Sequence, residues 1–269
     1  MPYTEKHDRR NGLLHFKATQ TLAGYWRYFP SPQLAQFIEH YWTIEWDLSE
    51  PVLRETLPYP SAHIVLEPGV AQIGGVNTRK FSRVLHGKSR VLGVKFRPGA
   101  LRPFIAQPAS AFTDKVFALV DIFGARARNL GERVLAHADH QNAIAVLESF
   151  LVDLDPQRAD DVDLAVSICA RIANDREMKK VDDVVRECCV GLRRLQRLFG
   201  EHVGVSPKWL IRRYRLHEAA ERMASAENLA WADIAVELGY ADQAHFIRDF
   251  KKLIGQSPVE YFKTLSRAG

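Results

Sequence analysis

The chain has 269 residues, of which 46% are hydrophobic and 26% are charged, and its mean hydropathy is −0.21. These values argue against a disordered chain, and no apolar run approaches the roughly 20 residues of a membrane-spanning helix. The net charge of +5 is compatible with nucleic acid as a partner, and the polar N-terminus, MPYTEKHDRRNG, lacks the apolar core of a signal peptide, which predicts a cytoplasmic protein without membrane contact.

Residues 1–155 form the first predicted domain, and its first 100 residues favour β-strands. Four short aromatic or β-branched pieces, GYWRYF, HYWTIEW, HIVLE and RVLGVKF, are separated by Pro and Gly signals. Between the first two pieces, SPQLAQFIEHYW predicts a short helix with Ser31 as its cap and Pro32 as its first residue. The pattern becomes helical over about 101–152, where an amphipathic spacing is set by Ile144, Leu147, Glu148 and Leu151.

The acidic segment LDPQRADD, at 154–161, marks the predicted domain boundary, so the second domain is 156–269. This domain is predicted to be all helix, which makes the fold class α+β: a β-rich N-terminal domain with trailing helices, and an all-α C-terminal domain. The predicted helices run from Asp160 or Asp161 to about Ala173, over 181–189, over 192–203, from Pro207 to about Ser225, over 231–239, over 242–254 and from Pro258 onward.

One helix and its exit occur twice in this second domain. The stretch LQRLFGEHVGVSP (195–207) returns 51 residues later as FIRDFKKLIGQSP (246–258), and the preceding VDDVVREC matches WADIAVEL at an offset of 50. Two repeats of about 50 residues are too few for a solenoid. We therefore predict two helix-turn-helix units, called here the first unit (181–203) and the second unit (231–254), joined by a long helix.

The second helix of the first unit has one apolar and one basic face. Leu195 and Phe199 lie on the apolar stripe, whereas Arg193, Gln196 and Arg197 lie on another. Residues 191–215 hold seven basic residues and one acidic residue, a net charge of +6 that exceeds the charge of the whole chain. Because Arg pairs with guanine and Gln with adenine, and both also bind phosphate, this helix is a candidate DNA reader.

The second helix of the second unit repeats this arrangement with different residues. Its apolar stripe is made by Phe246, Phe250 and Leu253. Away from that stripe lie Gln243, Ala244, Ile247, Arg248 and Lys251, with His245 at the edge. The helix from Pro207 is roughly 27 Å long at 1.5 Å per residue, and successive major grooves on one DNA face are ~34 Å apart. This rod would hold two readers one turn apart, with phosphate contacts from Lys208, Arg212 or Lys251.

Residues from about 163 to 265 resemble the DNA-binding domain of the AraC/XylS family of bacterial transcription regulators. The resemblance rests on D-I-A-x-x-x-G-Y followed by D-Q-A-H-F-x-R-D-F-K-K-x-x-G-x-S-P-x-x-Y, between Asp233 and Tyr261. It implies recognition helices at 191–203 and 242–254. The implied base-facing residues are Arg193, Gln196 and Arg197, with Arg194 close by, and Gln243, Ala244, His245, Ile247 and Arg248.

The sequence departs from the family pattern in the first turn. Cys189 stands where the family usually has Gly, and Gly191 stands where it has Ser or Thr, whereas the second unit keeps Gly239. Glycine tolerates a positive φ at little cost and cysteine does not, so the first turn is expected to differ in detail. The two readers also differ in their polar residues, which predicts a directional pair of half-sites instead of a palindrome.

Residues 1–155 resemble the N-terminal domain of one AraC-like subgroup, through SPQLAQFIEHYW, ETLPYPSAHIVLEPG, VLGVKFRPGALRPF and AFTDKVFALVDIFG. This resemblance implies a domain that senses a ligand or mediates assembly. The candidate effector-binding residues are Trp26, Tyr28, Trp42, Trp46, Tyr59 and His63. The alternative is that these aromatic residues form the domain core. No metal is predicted, because His63 and Glu67 lack a supporting His-x-His pair.

The prediction is a DNA-binding transcription regulator, not an enzyme, and without a cofactor. Its predicted partners are double-stranded DNA, a small effector or a second copy bound through the N-terminal domain, and RNA polymerase. The sequence contains no Gly-rich phosphate loop and no G-x-S-x-G elbow. The alternative of a different class is a ligand-binding or enzymatic N-terminal domain whose attached helices make protein contacts.

Overall fold

The computed structural model describes residues 24–225, 231–240, 242–261 and 263. The polar N-terminal stretch and the end of the last predicted helix lie outside these residues. Within the described ranges, no helix combines the length and the apolar character that crossing a membrane requires.

An antiparallel sheet of six strands forms the N-terminal half. Its strands are β1 (Gly24–Tyr28), β2 (Ile38–Thr56), β3 (His63–Glu67), β4 (Val70–Gly74), β5 (Phe81–Phe96) and β6 (Val116–Ala118), in the spatial order β1-β2-β5-β3-β4-β6. The four predicted strands are confirmed, and HIVLE has the predicted bounds. Strands β4 and β6 were not predicted from the sequence, and neither was the length over which β2 and β5 pair as one long ribbon.

The helix predicted for SPQLAQFIEHYW is wrong. The chain makes a single helical turn, in which the backbone N–H groups of Leu34 and Ala35 donate to the Ser31 carbonyl at 3.0 and 2.9 Å. At Ile38 the chain becomes strand β2, because Ile38 pairs with Phe96 of β5. Long-range pairing therefore overrides the local helical signal.

The helical prediction for 101–152 is correct only in part. Two 3₁₀ turns, Arg102–Phe104 and Ala109–Phe112, come first, and 116–118 is a strand. The helices that follow are α1 (Leu119–Phe123), α2 (Leu130–Leu135) and α3 (His140–Asp153). Helix α3 has the predicted amphipathic spacing, and its polar member Glu148 accepts hydrogen bonds from the Ser31 N–H at 2.8 Å and the Tyr41 hydroxyl at 3.0 Å.

The C-terminal half is helical, and the predicted order of its helices is confirmed. The helices are α4 (Asp160–Asn174), α5 (Val181–Glu187), α6 (Leu192–Leu198), α7 (Pro207–Ser225), α8 (Trp231–Glu237) and α9 (Gln243–Ile254). A π-helical turn, Phe199–Val203, continues α6. Ser206 caps α7, because its hydroxyl accepts the Trp209 N–H at 3.2 Å. A last helical segment starts at Pro258, inside the described range 258–261.

The two halves pack against each other through α4. Val162 belongs to the core of the N-terminal half, whereas Ala165, one turn later, belongs to the core of the helical half. The Thr113 hydroxyl also donates to the Gly204 carbonyl at 2.5 Å, which fastens the end of the first unit to the N-terminal half. The sequence-based boundary at 155/156 therefore remains a prediction, because continuous packing surrounds it.

Candidate nucleic-acid interface

The turns of the two units close with the same backbone hydrogen bonds. In the first unit the Val190 N–H donates to the Val185 carbonyl at 3.2 Å. In the second unit the Tyr240 N–H donates to the Ala235 carbonyl at 2.9 Å. These bonds satisfy carbonyls at the ends of α5 and α8, and they lie 50 residues apart, which is the offset of the sequence repeat. Both units therefore have the geometry of a helix-turn-helix.

Both turns need a left-handed residue, but different residues supply it. Cys189 has φ 50° and Gly239 has φ 79°. The recognition helices also begin differently: the Asp242 carboxylate accepts the His245 N–H at 2.7 Å, whereas Gly191 offers no side-chain cap. The first turn therefore has the same geometry as the second, although it lacks the Gly at the left-handed position and the side-chain cap that favour this geometry.

Helix α6 packs on the helical core through its apolar face, and its basic face is exposed to solvent. Leu195, Leu198 and Phe199 are buried in the helical core. The predicted base-facing residues Arg193, Gln196 and Arg197 are all exposed, and among the described residues they form no ion pair. Arg194 is exposed too and lies 3.1 Å from Asp161. The structure therefore leaves all four predicted residues accessible, with Arg194 directed toward Asp161 of α4.

Helix α9 exposes a smaller part of its predicted set. Gln243, Ala244, Arg248 and Lys251 are exposed. His245 is half-buried and directs Nε2 toward Asp249 Oδ2 at 3.3 Å, and Ile247 packs on the core. Gln243 and Arg248 are therefore the accessible polar residues for base contacts. His245 and Ile247 remain predicted contacts, although both also support the helix.

Three arginines of α7 point into the molecule, which the sequence analysis did not foresee. Arg212 holds Asp249 on α9, with Nε 3.0 Å from Oδ2. Arg213 is 1% exposed and donates to the Pro58 carbonyl at 2.7 Å. Arg215 donates to the Ile172 and Met178 carbonyls at 3.4 and 3.3 Å. Much of the positive charge counted over 191–215 therefore connects parts of the chain, and Arg212 as a phosphate contact remains a prediction.

The six candidate effector residues do not lie on one face. Trp26 and Tyr28 face α3. There the ring centres of Trp26 and His140 are 4.8 Å apart, and His140 Nδ1 lies 2.8 Å from the Tyr28 hydroxyl. Strand alternation puts Trp42, Trp46 and His63 on the opposite face of the sheet. Tyr59 lies after the end of β2 and contacts Lys95, the strand partner of His63: Lys95 Nζ is 3.5 Å and the Arg213 guanidinium 4.5 Å from its ring centre.

The surroundings of Tyr59 form a buried ionic cluster between the two halves. Burial lowers the pKa of Lys95 to about 8, although the neighbouring Glu39 carboxylate, 2.8 Å away, opposes this shift. Burial alone would raise the pKa of Glu39, but hydrogen bonds and charge from His40 and Lys95 lower it to about 2. Burial and the nearby Lys95 charge also lower the pKa of His63 to about 3. The cluster therefore favours an ionised Glu39–Lys95 pair beside a neutral His63.

The structure also identifies supporting residues that were missing from the sequence-based set. Asp249 binds Arg212 and His245, and its position four residues after His245 was a readable signal. Arg213 gave no such signal, because its partners on Pro58 and Tyr59 are about 155 residues away. Among the described residues, no group of three or more His, Cys, Asp or Glu side chains is arranged to hold a metal ion.

Comparison with known proteins agrees with this geometry. Residues 184–264 match a family model described as a helix-turn-helix domain, and residues 26–118 match a domain of unknown function. An uncharacterised HTH-type transcriptional regulator of Haemophilus influenzae is 29% identical over 133 residues, which are 49% of this chain and 42% of that protein. The regulator ExsA of Pseudomonas aeruginosa is 32% identical over 80 residues, which are 29% of this chain and 28% of that protein.

The chain thus spans less than half the length of these two curated relatives. Among solved structures, ToxT from Vibrio cholerae aligns with a TM-score of 0.41 and 13% identity, over 83% of this chain and 97% of that chain. The paired turns and the family match identify residues 184–264 as a helix-turn-helix domain of the kind found in HTH-type transcriptional regulators. The C-terminal helix-turn-helix domain is of the AraC type.

Proposed function

We propose that this protein is a sequence-specific transcription regulator that inserts the helices at 191–203 and 242–254 into two successive major grooves of DNA. The observation that carries this proposal is the repeated turn, after which each unit leaves a polar, acid-free face exposed. Helix α7 has 19 residues and is therefore roughly 28 Å long. That length suits two readers placed one DNA turn, or ~34 Å, apart.

The exposed residues fall into those that would contact bases and those that would contact phosphates. Arg193, Gln196 and Arg197 would contact bases in one half-site, and Gln243 and Arg248 in the other. Lys208 and Lys251 are exposed and would position the protein on phosphates without reading sequence. Because the two sets differ, the operator is expected to be directional.

We further propose that the N-terminal half senses a small effector or forms a homodimer, and that the complex acts on RNA polymerase. Support for the effector comes from Trp42 and Trp46, which lie in a small apolar cluster with Leu85 and Val91 on the sheet face opposite α3. Support for control of the readers comes from Arg213, which joins α7 to Pro58 and Tyr59. A change at the sheet would thereby reach the helix that spaces the two units.

A salt titration of binding to DNA tests the central proposal. Fluorescence anisotropy would compare the duplex protected in footprints upstream of the protein's own gene with a scrambled duplex of equal length. We expect tighter binding to the first duplex, with an affinity that falls steeply with salt. Equal binding to both duplexes would reject sequence reading, and no binding to either would favour helices used for protein contacts.

A further inference from the structure

A cleft of about 330 Å³ separates the first unit from the second. Its walls come from the residues just before and at the start of α5, from the first turns of α7, from the α8–α9 turn and from the start of α9. The units approach each other at its edge, because a Cβ added to Gly239 would lie 3.4 Å from the Cβ of Lys179. This space is called here the inter-unit cleft.

The ionic lining of the inter-unit cleft is almost entirely basic. Five lysines and arginines line it, together with His245 and a single acid, Asp249. The acid is already bound by Arg212, and Arg215 is occupied by backbone carbonyls of the α4–α5 connection. These contacts leave the lysines to determine what the cleft attracts.

Two of these lysines are accessible and uncommitted. Lys180, immediately before α5, and Lys208, in the first turn of α7, are exposed and form no ion pair with any described residue. Lys179 is half-buried, with Nζ 3.4 Å from Glu177. The backbone N–H groups of Lys179 and Lys180 are already bonded to the Asp183 carboxylate at 3.1 and 2.9 Å. Any ligand in the cleft must therefore be held by the lysine side chains.

The cleft also lies where DNA backbone would pass. In helix-turn-helix proteins the first helix of a unit crosses the backbone, and the N-terminal residues of the second helix reach the bases. Lys180 immediately precedes the first helix of the first unit, whereas His245 lies near the N-terminus of the recognition helix of the second unit. A strand that leaves the groove read by one unit and enters the groove read by the other would run along this wall.

We propose that the inter-unit cleft binds a phosphodiester of the DNA backbone between the two half-sites, through the Lys180 and Lys208 ammonium groups. This site rests on the proposed function. It adds a contact that depends on the spacing of the two units and not on the identity of the bases. Each ammonium is a point charge that releases condensed counterions when it meets phosphate. The contact strengthens binding to operator and scrambled duplexes alike, because a phosphate carries no base identity.

The test uses the full chain and the variants Lys180→Ala, Lys208→Ala and the double variant. Lys88→Ala, at an exposed lysine of β5, is the matched control. Each cleft variant is expected to reduce the slope of log K against log salt by ~0.9, to weaken binding to operator and scrambled duplexes by the same factor, and to leave the melting temperature unchanged. Lys180→Arg and Lys208→Arg should restore the slope, and the control should leave it unaltered.

A second arm locates the phosphate. Methylphosphonate linkages, which are neutral, replace single phosphates between the footprinted half-sites. At one or two positions they should weaken wild-type binding and have no further effect on the double variant. Inorganic phosphate at millimolar concentration should weaken wild-type binding to the operator only as much as its ionic strength predicts. A larger loss would identify a free-anion site and overturn the assignment to DNA.

The outcomes separate this inference from the proposed function. If the wild type binds its operator specifically but the double variant keeps the wild-type slope, the cleft does not bind phosphate and the regulator stands. If methylphosphonates weaken both proteins equally, the contact lies elsewhere and the cleft assignment is again wrong. If the wild type does not bind duplex DNA, both the function and the cleft site are rejected.

Discussion

The two helix-turn-helix units share one geometry but are stabilised by different means. In the first unit, the π-helical turn after α6 ends at Gly204, whose carbonyl accepts a hydrogen bond from Thr113 of the N-terminal half. A Cβ on Gly204 would lie 3.0 Å from the Ala109 carbonyl oxygen, so the backbones touch closely there. The first unit is therefore held by its neighbouring domain.

The second unit relies on its own local chemistry. Asp242 caps its reader, Gly239 supplies the left-handed turn, and Asp249 ties the reader to Arg212 of α7. The first unit has Leu198 at the place of Asp249, where it is 3% exposed and packed in the apolar core. Docking to the N-terminal half thus compensates for the missing helix cap and the missing turn glycine of the first unit.

The largest expected effect on stability compares the apolar packing that holds α6 with the ion pair that holds α9. Leu198→Ala removes buried methyl groups and should lower the free energy of unfolding by about 3 kcal/mol, independently of salt. Asp249→Ala should lower it by about 2 kcal/mol, since Asp249 is 11% exposed and binds Arg212, and this loss should shrink at high salt. Urea unfolding at two salt concentrations measures both values.

The control for this pair is Leu192→Ala on the same helix as Leu198. Leu192 is 46% exposed, so its truncation should change the free energy of unfolding by no more than about 0.5 kcal/mol. If salt changes the stability loss of Leu198→Ala, or leaves that of Asp249→Ala unchanged, then α6 and α9 are not held by apolar packing and an ion pair, respectively.

The next effect concerns what the two readers recognise. Arg197→Ala and Arg248→Ala remove exposed guanidinium groups at equivalent places and should each weaken operator binding by ~1–3 kcal/mol. Because each arginine would contact a different half-site, each variant should relax base preference in one half only. Binding selections on duplexes randomised in either half measure this, and equal losses on scrambled DNA would reduce both residues to phosphate contacts.

The sequence predicted the repeated units well because their signals are local. The Ser-Pro starts at 206 and 257, the offset of 50 to 51 residues and the apolar stripes all follow from nearby residues. The hydroxyl of Ser206 does cap its helix, and Ser257 forms a reciprocal cap with Glu260. The predicted accessible face of α6 was likewise complete, because one stripe of this helix is strongly apolar.

Long-range partners account for what the sequence could not predict. The turn at 32–37 was read as a helix because the pairing of Ile38 with Phe96 is invisible locally. Arg212 was predicted as a phosphate contact, and Arg213 and Arg215 were counted only as part of the positive charge over 191–215. Their inward contacts were missed because nothing near Arg213 in the chain points to Pro58. The aromatic set of the N-terminal half was read as one group, although Trp26 and Trp42 lie on opposite faces of the sheet.

A smaller effect is expected at the left-handed turn residue. Cys189→Gly should raise the free energy of unfolding by about 1 kcal/mol, because an L-residue with φ 50° is strained and glycine is not. The reverse change, Gly239→Cys, should lower it by a similar amount. Thermal unfolding in the presence of a reductant compares the two variants, whose stabilities should change in opposite directions. If both substitutions stabilise the protein, the two turns are not equivalent.

The smallest effect concerns the caps of the two readers. Gly191 has the extended φ −63°, ψ 145° of an N-cap residue, and an added Cβ would meet no atom within 4 Å. Gly191→Ser should therefore stabilise the protein by a few tenths of a kcal/mol, about what Asp242→Gly should lose in the second unit. Hydrogen exchange of the first amides of each helix resolves changes of this size. If Gly191→Ser protects those amides while operator binding is unchanged, docking to the N-terminal half already fixes α6; weaker binding would instead mean that contact with DNA needs an uncapped helix start.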